Sequence, residues 1–232
     1  MPPDSTHDFP STQYMWIRDH LDGGPEARDR LVQWAMAVYA KPLQTYARAT
    51  GLAHSSQLES DELVNGFLAS VLSRQDYLKD WIGSGLRLRQ WFRNGLHFHA
   101  KTMRRTAGSR VQPLDERDAE SIAVPDDADR LLDHAWATAI VERVCDEVRT
   151  DLAQAGKSGH WEIFWQHHIE GVPYAQVVAH QGGGITEAQA ASRAFEVASR
   201  LRERLSKLLI QDGAPSAEVS SELRNLMESI RP

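Results

Sequence analysis

The spacing of apolar residues is the feature that most constrains the fold of this chain. Apolar side chains recur three and four residues apart along most of its 232 residues. No alternating Val, Ile or Thr run accompanies them, and no hairpin dipeptide separates two apolar runs. The sequence therefore predicts an all-α protein. Seven Trp and six Phe residues supply the large apolar surfaces that helical cores bury.

Start and stop signals divide this periodicity into separate helices. Pro25 suits a first helical position and Gly51 a helix end, while Asp61 and Glu62 suit the first turn of a second helix. That second helix carries an apolar stripe containing Leu63 and Phe67. The helices are predicted over residues 25–51, from residue 60 onward, and over 87–105, 129–155, 161–170, 173–181, 186–208 and 216–230.

Charge is distributed unevenly along the chain. The formal net charge is −6, which taken alone disfavours a nucleic-acid-binding protein. Residues 86–110, however, contain seven basic residues and no acid, whereas residues 111–136 contain eight acids and two arginines. The switch from basic to acidic, together with Pro113 and Pro125, predicts a linker at residues 108–128. Two ordinary solvated surfaces remain the alternative interpretation.

The basic run also has helical periodicity. One face is predicted to be apolar and the neighbouring face basic, with Trp91 and Phe98 beyond the basic face. Basic side chains at this spacing can follow phosphates, and the aromatics can stack on bases of opened DNA. Burial of both aromatics in the core is the alternative. The apolar face comprises Leu88, Phe92, Leu96 and Met103, and the basic face comprises Arg89, Arg93, His97, Lys101 and Arg104.

Residues 173–205 have the form of a DNA-binding helix-turn-helix. A short helix, three glycines and a second helix follow one another, and Thr186 and Gln189 have the spacing of a capping box. A plain helical hairpin is the alternative. Residues 186–209 carry five basic and three acidic side chains, a low positive balance for a DNA-reading helix. The positions expected to face base edges are Thr186, Gln189, Ser192 and Arg193.

The sequence gives little support for a metal site, for an enzyme or for a location outside the cytoplasm. His160, His167 and His168 lie near Glu162 and Glu170, but their spacing matches no common zinc pattern. No phosphate-binding loop, dinucleotide fingerprint or nucleophile elbow is present, so neither an enzyme nor a cofactor is expected. A single cysteine, no long apolar run and no signal-like start predict a cytoplasmic protein without membrane contact.

The order of these parts resembles an extracytoplasmic-function (ECF) sigma factor of bacterial RNA polymerase. An acid-led helix, a basic helix, an acidic linker and a helix-turn-helix follow one another as in that family. The two ends of the chain resemble a subgroup that is abundant in Planctomycetes and has a C-terminal extension. The segments that carry the resemblance are FPSTQYMWI at 9–17, SDELVNGFL at 60–68, LRQWFRNGL at 88–96 and AEVSSELRNL at 217–226.

The resemblance implies domains, partners and residue roles. It implies a sigma domain 2-like bundle at 9–107, the linker at 108–128, a sigma domain 4-like domain at 129–211 and a helical extension at 212–232. Its partners would be bacterial core RNA polymerase (β′ clamp helices and β flap) and promoter DNA. Whether an anti-sigma factor or another regulator binds the chain stays open.

The resemblance also implies roles for individual residues. Polymerase binding would fall to Asp61, Glu62, Asn65 and Phe67. Binding of the −10 element would fall to Arg87, Arg89, Trp91, Arg93, Asn94, Lys101, Arg104 and Arg105. Binding of the −35 element would fall to Thr186, Gln189, Ser192, Arg193 and Arg200.

Two other functions stay open at this point. A sigma-like adaptor would keep the polymerase contacts but have weakened promoter recognition, which the low charge of the terminal helix favours. A stand-alone helix-turn-helix regulator would need a dimer to read paired half-sites. Binding to core polymerase separates the sigma-derived functions from the regulator.

Overall fold

The helices are seen in a computed structural model that describes residues 15–55, 58–108, 128–180, 182 and 184–229. These residues contain eleven α-helices and one short 3-10 helix, and no strand occurs among them. The all-α prediction is confirmed for this part of the chain. The helices are α1 (Met15–Asp22), α2 (Pro25–Ala49), α3 (Leu52–Ser55), α4 (Ser60–Leu72), α5 (Gln75–Ile82), α6 (Leu88–Gly108), α7 (Ala128–Gln154), α8 (Ser158–His168), α9 (Tyr174–His180), α10 (Glu187–Gln211), the 3-10 helix (Ser216–Glu218) and α11 (Val219–Ser229).

Local signals located most helix ends correctly. Pro25 opens α2, and Gly51, with φ of 69°, follows its C-terminal end. The predicted starts of α4 and α6 agree with the structure to within one residue. Helices α1, α3 and α5 were not predicted; none exceeds eight residues. Most of the predicted linker, residues 109–127, lies outside the described residues, as do residues 9–14 of the N-terminal motif.

The chain forms two compact units whose boundaries fall inside two long helices. The first unit comprises Met1–Ala139 and Leu209–Pro232, and the second comprises Ile140–Leu208. The sequence boundaries at residues 128 and 211 differ from this division. The start of α7 and the end of α10 belong with the first unit because Asp212 and Trp136 both contact Arg89 of α6.

Helix α6 contributes a buried apolar stripe to the core of the first unit. Leu88, Phe92 and Leu96 are fully buried, as the apolar stripe predicted. The Phe92 ring lies 5.0 Å from Tyr39 of α2 and 6.2 Å from Phe67 of α4, both in edge-to-face geometry. Burial of each such side chain stabilises the fold by about 1.5–3 kcal/mol. Helix α6 is therefore held on one side by α2 and α4.

The buried stripe of α6 ends one turn earlier than its periodicity predicts. Ala100 is fully buried, but Met103 is 39% exposed, and Lys101, Thr102 and Arg105 are exposed as well. The assignment of Met103 to the buried face is therefore wrong. Past Ala100, the side chains of Lys101, Thr102, Met103 and Arg105 are exposed, while Arg104 is half-buried.

The second unit has its own apolar core. Val144, Val148 and Leu152 of α7 are fully buried, continuing the stripe predicted for that helix. Buried side chains of α8, α9 and α10 complete the core. They are Trp161, Ile163, Phe164, Val177, Ala190, Ala194, Val197 and Leu205.

Replacement of two helical glycines of the first unit by alanine should have opposite effects on stability. A Cβ at Gly95 would overlap the Tyr77 hydroxyl and lie 2.9 Å from the Phe67 ring, whereas one at Gly66 would have an ordinary 3.8 Å contact with His99. Gly95→Ala should therefore destabilise the fold by about 1–3 kcal/mol through overpacking. Gly66→Ala should stabilise it by up to about 1 kcal/mol. Chemical denaturation of both variants measures this, and similar effects of the two would contradict the packing described for α6.

Candidate nucleic-acid interface

Arg89 lies inside the fold rather than on the predicted basic face. It is only 9% exposed, and its Nε donates to Asp133 Oδ1 at 2.5 Å while its Nη1 donates to Asp212 Oδ2. Its guanidinium carbon lies 4.5 Å from the Trp136 ring centre. The assignment of Arg89 to a DNA-facing surface is therefore wrong, because the side chain is buried and its Nε, its Nη1 and its flat face already have partners within the protein.

The electrostatics around Arg89 keep it charged although it is buried. Burial opposes the charge, but the carboxylates of Asp212 and Asp133 outweigh it and raise the pKa of Arg89 above its ordinary value. Asp212 is fully buried and also accepts bonds from the Tyr39 hydroxyl at 2.8 Å and the Arg89 backbone amide at 3.0 Å. Burial, and then the nearby Asp212 charge, raise the pKa of Tyr39 well above its usual value, so the phenol remains a donor.

Arg87 is also covered, but in a different way. Its side chain is 17% exposed, and its Nη2 lies 2.6 Å from Glu222 Oε1 of α11 and 3.9 Å from Glu218 Oε2. Both carboxylates come from the C-terminal part of the chain. Arg87 therefore does not present a free charge to solvent in this conformation, contrary to its predicted DNA-binding role.

Trp91 packs inside the first unit. Its ring lies 5.5 Å from that of Tyr77 of α5, and the Tyr77 hydroxyl donates to the Trp91 carbonyl at 3.3 Å. Trp91 is half-buried. The alternative interpretation of Trp91, as a packing residue, therefore fits its contacts better than base stacking does.

One face of α6 remains open to solvent. Phe98 is 74% exposed, and Asn94, Lys101, Thr102 and Arg105 are exposed too. At about 100° per residue these five positions fall within a sector of about 100°. The face thus combines an aromatic ring, two cations and two hydrogen-bonding side chains. We call it the open α6 face.

Two further predicted residues border this face. Arg93 is half-buried and donates through Nε and Nη2 to Asn94 Oδ1 at 3.2 and 3.0 Å. Arg104 is half-buried, and its Nε is enclosed without an acceptor among the described residues. Because their side chains are less exposed than those of Lys101 and Arg105, they are less accessible to a phosphate in this conformation.

The predicted polymerase contacts divide into exposed and buried positions. Asp61, Glu62 and Asn65 are exposed on the first turns of α4. Asp61 lies 3.8 Å from Arg48, but both side chains are about two-thirds exposed, so water screens the pair. Phe67 is fully buried and packs against Phe92 and Tyr77. Its assignment as a polymerase contact is wrong, because its ring belongs to the core.

The predicted capping box of α10 is confirmed by its hydrogen bonds. The Gln189 amide donates to the Thr186 hydroxyl at 3.2 Å, and the Thr186 amide donates to Gln189 Oε1 at 2.9 Å. These bonds begin the helix but occupy two of the four side chains that were predicted to face base edges. Ser192 is exposed and Arg193 is half-buried. The N-terminal turn of α10 therefore offers little for base readout.

Glu196 organises the second unit in a way that was not predicted. It accepts bonds from Lys157 Nζ at 2.9 Å and Arg200 Nη2 at 2.7 Å, and His160 Nδ1 lies 2.9 Å away. The hydrogen bond from Lys157, and next that from Arg200, lower the pKa of Glu196 to about 2 against the opposing effect of burial. Arg200 is thus engaged within the protein. The spacing of Glu196 and Arg200 on one helix was the only local signal of this cluster.

The histidines considered as metal ligands have different partners, although the rings of His167 and His168 lie 4.8 Å apart in edge-to-face geometry. His160 faces Glu196, whereas His167 Nδ1 bonds to the Val172 carbonyl at 2.9 Å and its ring stacks on Tyr174 at 3.7 Å. His168 lies against Phe164, with ring centres 5.1 Å apart. Within the described ranges, no group of three or more His, Cys, Asp or Glu side chains is arranged to hold a metal.

Removal of each of the two carboxylates that bind Arg89 should lower the free energy of unfolding by a different amount. Asp212→Ala should lower the free energy of unfolding by about 3–5 kcal/mol, because it leaves a buried charge without its buried partner. Asp133 is 45% exposed, so Asp133→Ala should cost only about 1 kcal/mol. Urea denaturation of both variants tests this. Equal losses would show that Arg89 does not depend on the buried side of the cluster.

The Glu196 cluster predicts a pH dependence of stability. Folding lowers the pKa of Glu196 from 4.5 to about 2. The contribution of its carboxylate to the free energy of unfolding is therefore complete above pH 4.5 and is lost as the pH falls toward 2. The melting-temperature difference between the wild type and Glu196→Gln should therefore be largest near neutrality and shrink in acid. Glu203→Gln, which changes an exposed acid of the same helix, is the control. A difference independent of pH would contradict this role of Glu196.

Comparison of the chain with protein-family models, with curated proteins and with solved structures gives no match. The roles discussed for these residues therefore depend on their own contacts, exposure and charge. None of the described helices combines the length and the apolar character that crossing a bilayer requires.

Proposed function

We propose that this chain is a sigma-type subunit that binds bacterial core RNA polymerase and engages promoter DNA through the open α6 face. The observation that carries the proposal is the composition of that face: exposed Phe98 beside two exposed cations, Lys101 and Arg105, in a protein of net charge −6. The order of helices that resembles an ECF sigma factor supplies the polymerase partner.

The chemistry of the open α6 face suits single-stranded DNA. A single exposed aromatic residue is common on protein surfaces and carries no argument alone. Phe98, however, lies one turn before Lys101 and two turns before Arg105 on the same face. Bases stack on aromatic rings while cations follow the phosphates, and this combination binds unpaired strands with little sequence preference. On the same face, Asn94 accepts from Arg93 through Oδ1, and its amide nitrogen can donate to a base edge.

The first turns of α4 supply a surface for polymerase on the same unit. Asp61, Glu62 and Asn65 are exposed there, while Phe67 of the same helix packs against Phe92 of α6. A contact that holds α4 would therefore also fix the orientation of α6. This coupling supports assigning the two surfaces to one function, in which polymerase presents opened DNA to α6.

A sigma-like adaptor is the second candidate. The capping bonds of Thr186 and Gln189 and the pairing of Arg200 with Glu196 occupy three of the five side chains predicted to read a −35 element. This observation favours weakened recognition by α10. The adaptor shares the polymerase contact and differs in lacking promoter-specific transcription.

Substitutions on the open α6 face should weaken binding to single-stranded DNA. Phe98→Ala should reduce affinity about tenfold, since one base–aromatic stack contributes about 1–3 kcal/mol. Lys101→Ala with Arg105→Ala should lower the slope of log affinity against log salt by about 1.4, or 0.7 per lost phosphate contact. Fluorescence anisotropy measures both effects. The matched control replaces Arg18 and Arg30, two exposed cations of the same unit, and should leave the slope unchanged.

Binding to core polymerase tests the proposal itself. The purified chain should co-elute with bacterial core polymerase, and Asp61→Lys with Glu62→Lys should abolish that complex. Asp76→Lys with Asp80→Lys, which changes two exposed acids on α5, is the control. No complex with core would contradict both the sigma factor and the adaptor. A complex that binds DNA but initiates at no promoter among genomic fragments would favour the adaptor.

A further inference from the structure

The C-terminal segment covers one end of the open α6 face. Arg87 lies immediately before α6, and the Trp91 amide bonds to the Arg87 carbonyl at 3.0 Å, so Arg87 continues the helical path. At about 100° per residue Arg87 falls within about 20° of Asn94 and Phe98. It would extend that face by about 10 Å beyond Asn94. Glu218 and Glu222 occupy its guanidinium instead.

The segment is anchored by apolar residues and presents its acids to Arg87. Val219 and Leu226 are 9% and 5% exposed. Leu226 lines a groove of about 560 Å³ together with Trp136, Ala137 and Leu209. The acids lie at residues 218 and 222, one turn apart, so both can reach the same cation. The burial of Val219 and Leu226 thus holds the 3-10 helix and α11 where both carboxylates can reach Arg87.

The contacts of Arg87 are weaker than those of Arg89. The cluster at Arg89 includes a fully buried carboxylate, a second carboxylate and an aromatic face. For Arg87, Glu218 is 59% exposed, and Nη1 is buried without an acceptor among the described residues. A buried donor without an acceptor costs free energy that a phosphate could recover. The contact of the tail with Arg87 can therefore open while the Arg89 cluster stays intact.

We propose that residues 216–229 act as an internal competitor of DNA, in which Glu218 and Glu222 hold Arg87 in place of backbone phosphates. Displacement of these carboxylates adds Arg87 to the open α6 face and lengthens the interface by one phosphate contact. While the contact with Glu218 and Glu222 persists, the chain therefore binds DNA with one phosphate contact fewer. This inference rests on the proposed use of the open α6 face for DNA.

A double-mutant cycle on the full chain tests the competitor. Glu218→Gln with Glu222→Gln should raise affinity for a fluorescein-labelled single-stranded DNA about threefold, the effect of about one phosphate contact at moderate salt. The salt slope should steepen by about 0.7. Adding Arg87→Ala to that variant should remove the gain, and it should lower affinity more there than in the wild-type background. Thermal unfolding of each variant checks that the fold is retained.

The control separates a local effect from a change of net charge. Glu26→Gln with Asp29→Gln removes two exposed acids of the same unit, and any gain it produces should persist when Arg87→Ala is added. The tail variant is Glu218→Gln with Glu222→Gln. If its gain in DNA affinity also persists when Arg87→Ala is added, the proposal that residues 216–229 compete with DNA is overturned. The proposal would also be overturned if the tail variant showed no gain in DNA affinity while Phe98→Ala still weakened DNA binding. If the wild-type protein bound neither single-stranded DNA nor core polymerase, the proposed function and the proposed competition would both be overturned.

Discussion

The buried ion cluster of Arg89 joins parts of the first unit that are far apart in sequence. Asp212 lies 123 positions and Asp133 lies 44 positions from Arg89, and the Leu88 amide also bonds to the Asp212 carbonyl at 2.8 Å. Because an unpaired buried charge is costly, the start of α7 and the end of α10 must both meet α6 for the cluster to form. The same requirement holds the C-terminal segment close enough for its acids to reach Arg87.

Local patterns were predictable from the sequence, and long-range partners were not. The stripe of Leu88, Phe92 and Leu96 and the capping box of α10 depend on residues within one or two turns, so periodicity and spacing were sufficient to predict them. Arg89 was misassigned, although it lies seven residues from Leu96 and hence on the buried side of α6. Its burial requires Asp212 as a partner, and no local signal links the two. Helices α1, α3 and α5 span eight residues or fewer, too few for clear periodicity.

The basic run has three physically different parts. Arg89 belongs to a buried ion cluster, Arg87 pairs with the C-terminal acids, and Lys101 and Arg105 face solvent beside Phe98. A count of charges over residues 86–110 therefore overstates the charge that DNA can meet. The open α6 face retains the combination of aromatic and basic side chains that suits an unpaired strand. The first turn of α10 uses its polar side chains for capping, so we assign DNA engagement mainly to α6.

Site-specific photocross-linking from position 98 tests this account most directly. A photoreactive phenylalanine analogue at position 98 should cross-link to a single-stranded DNA, and the yield should rise when core polymerase is added. The same analogue at position 169, where Ile169 is 56% exposed, serves as the matched exposed position and should give little product. Cross-linking from position 98 no stronger than from position 169, with or without polymerase, would contradict the assignment of the open α6 face to DNA.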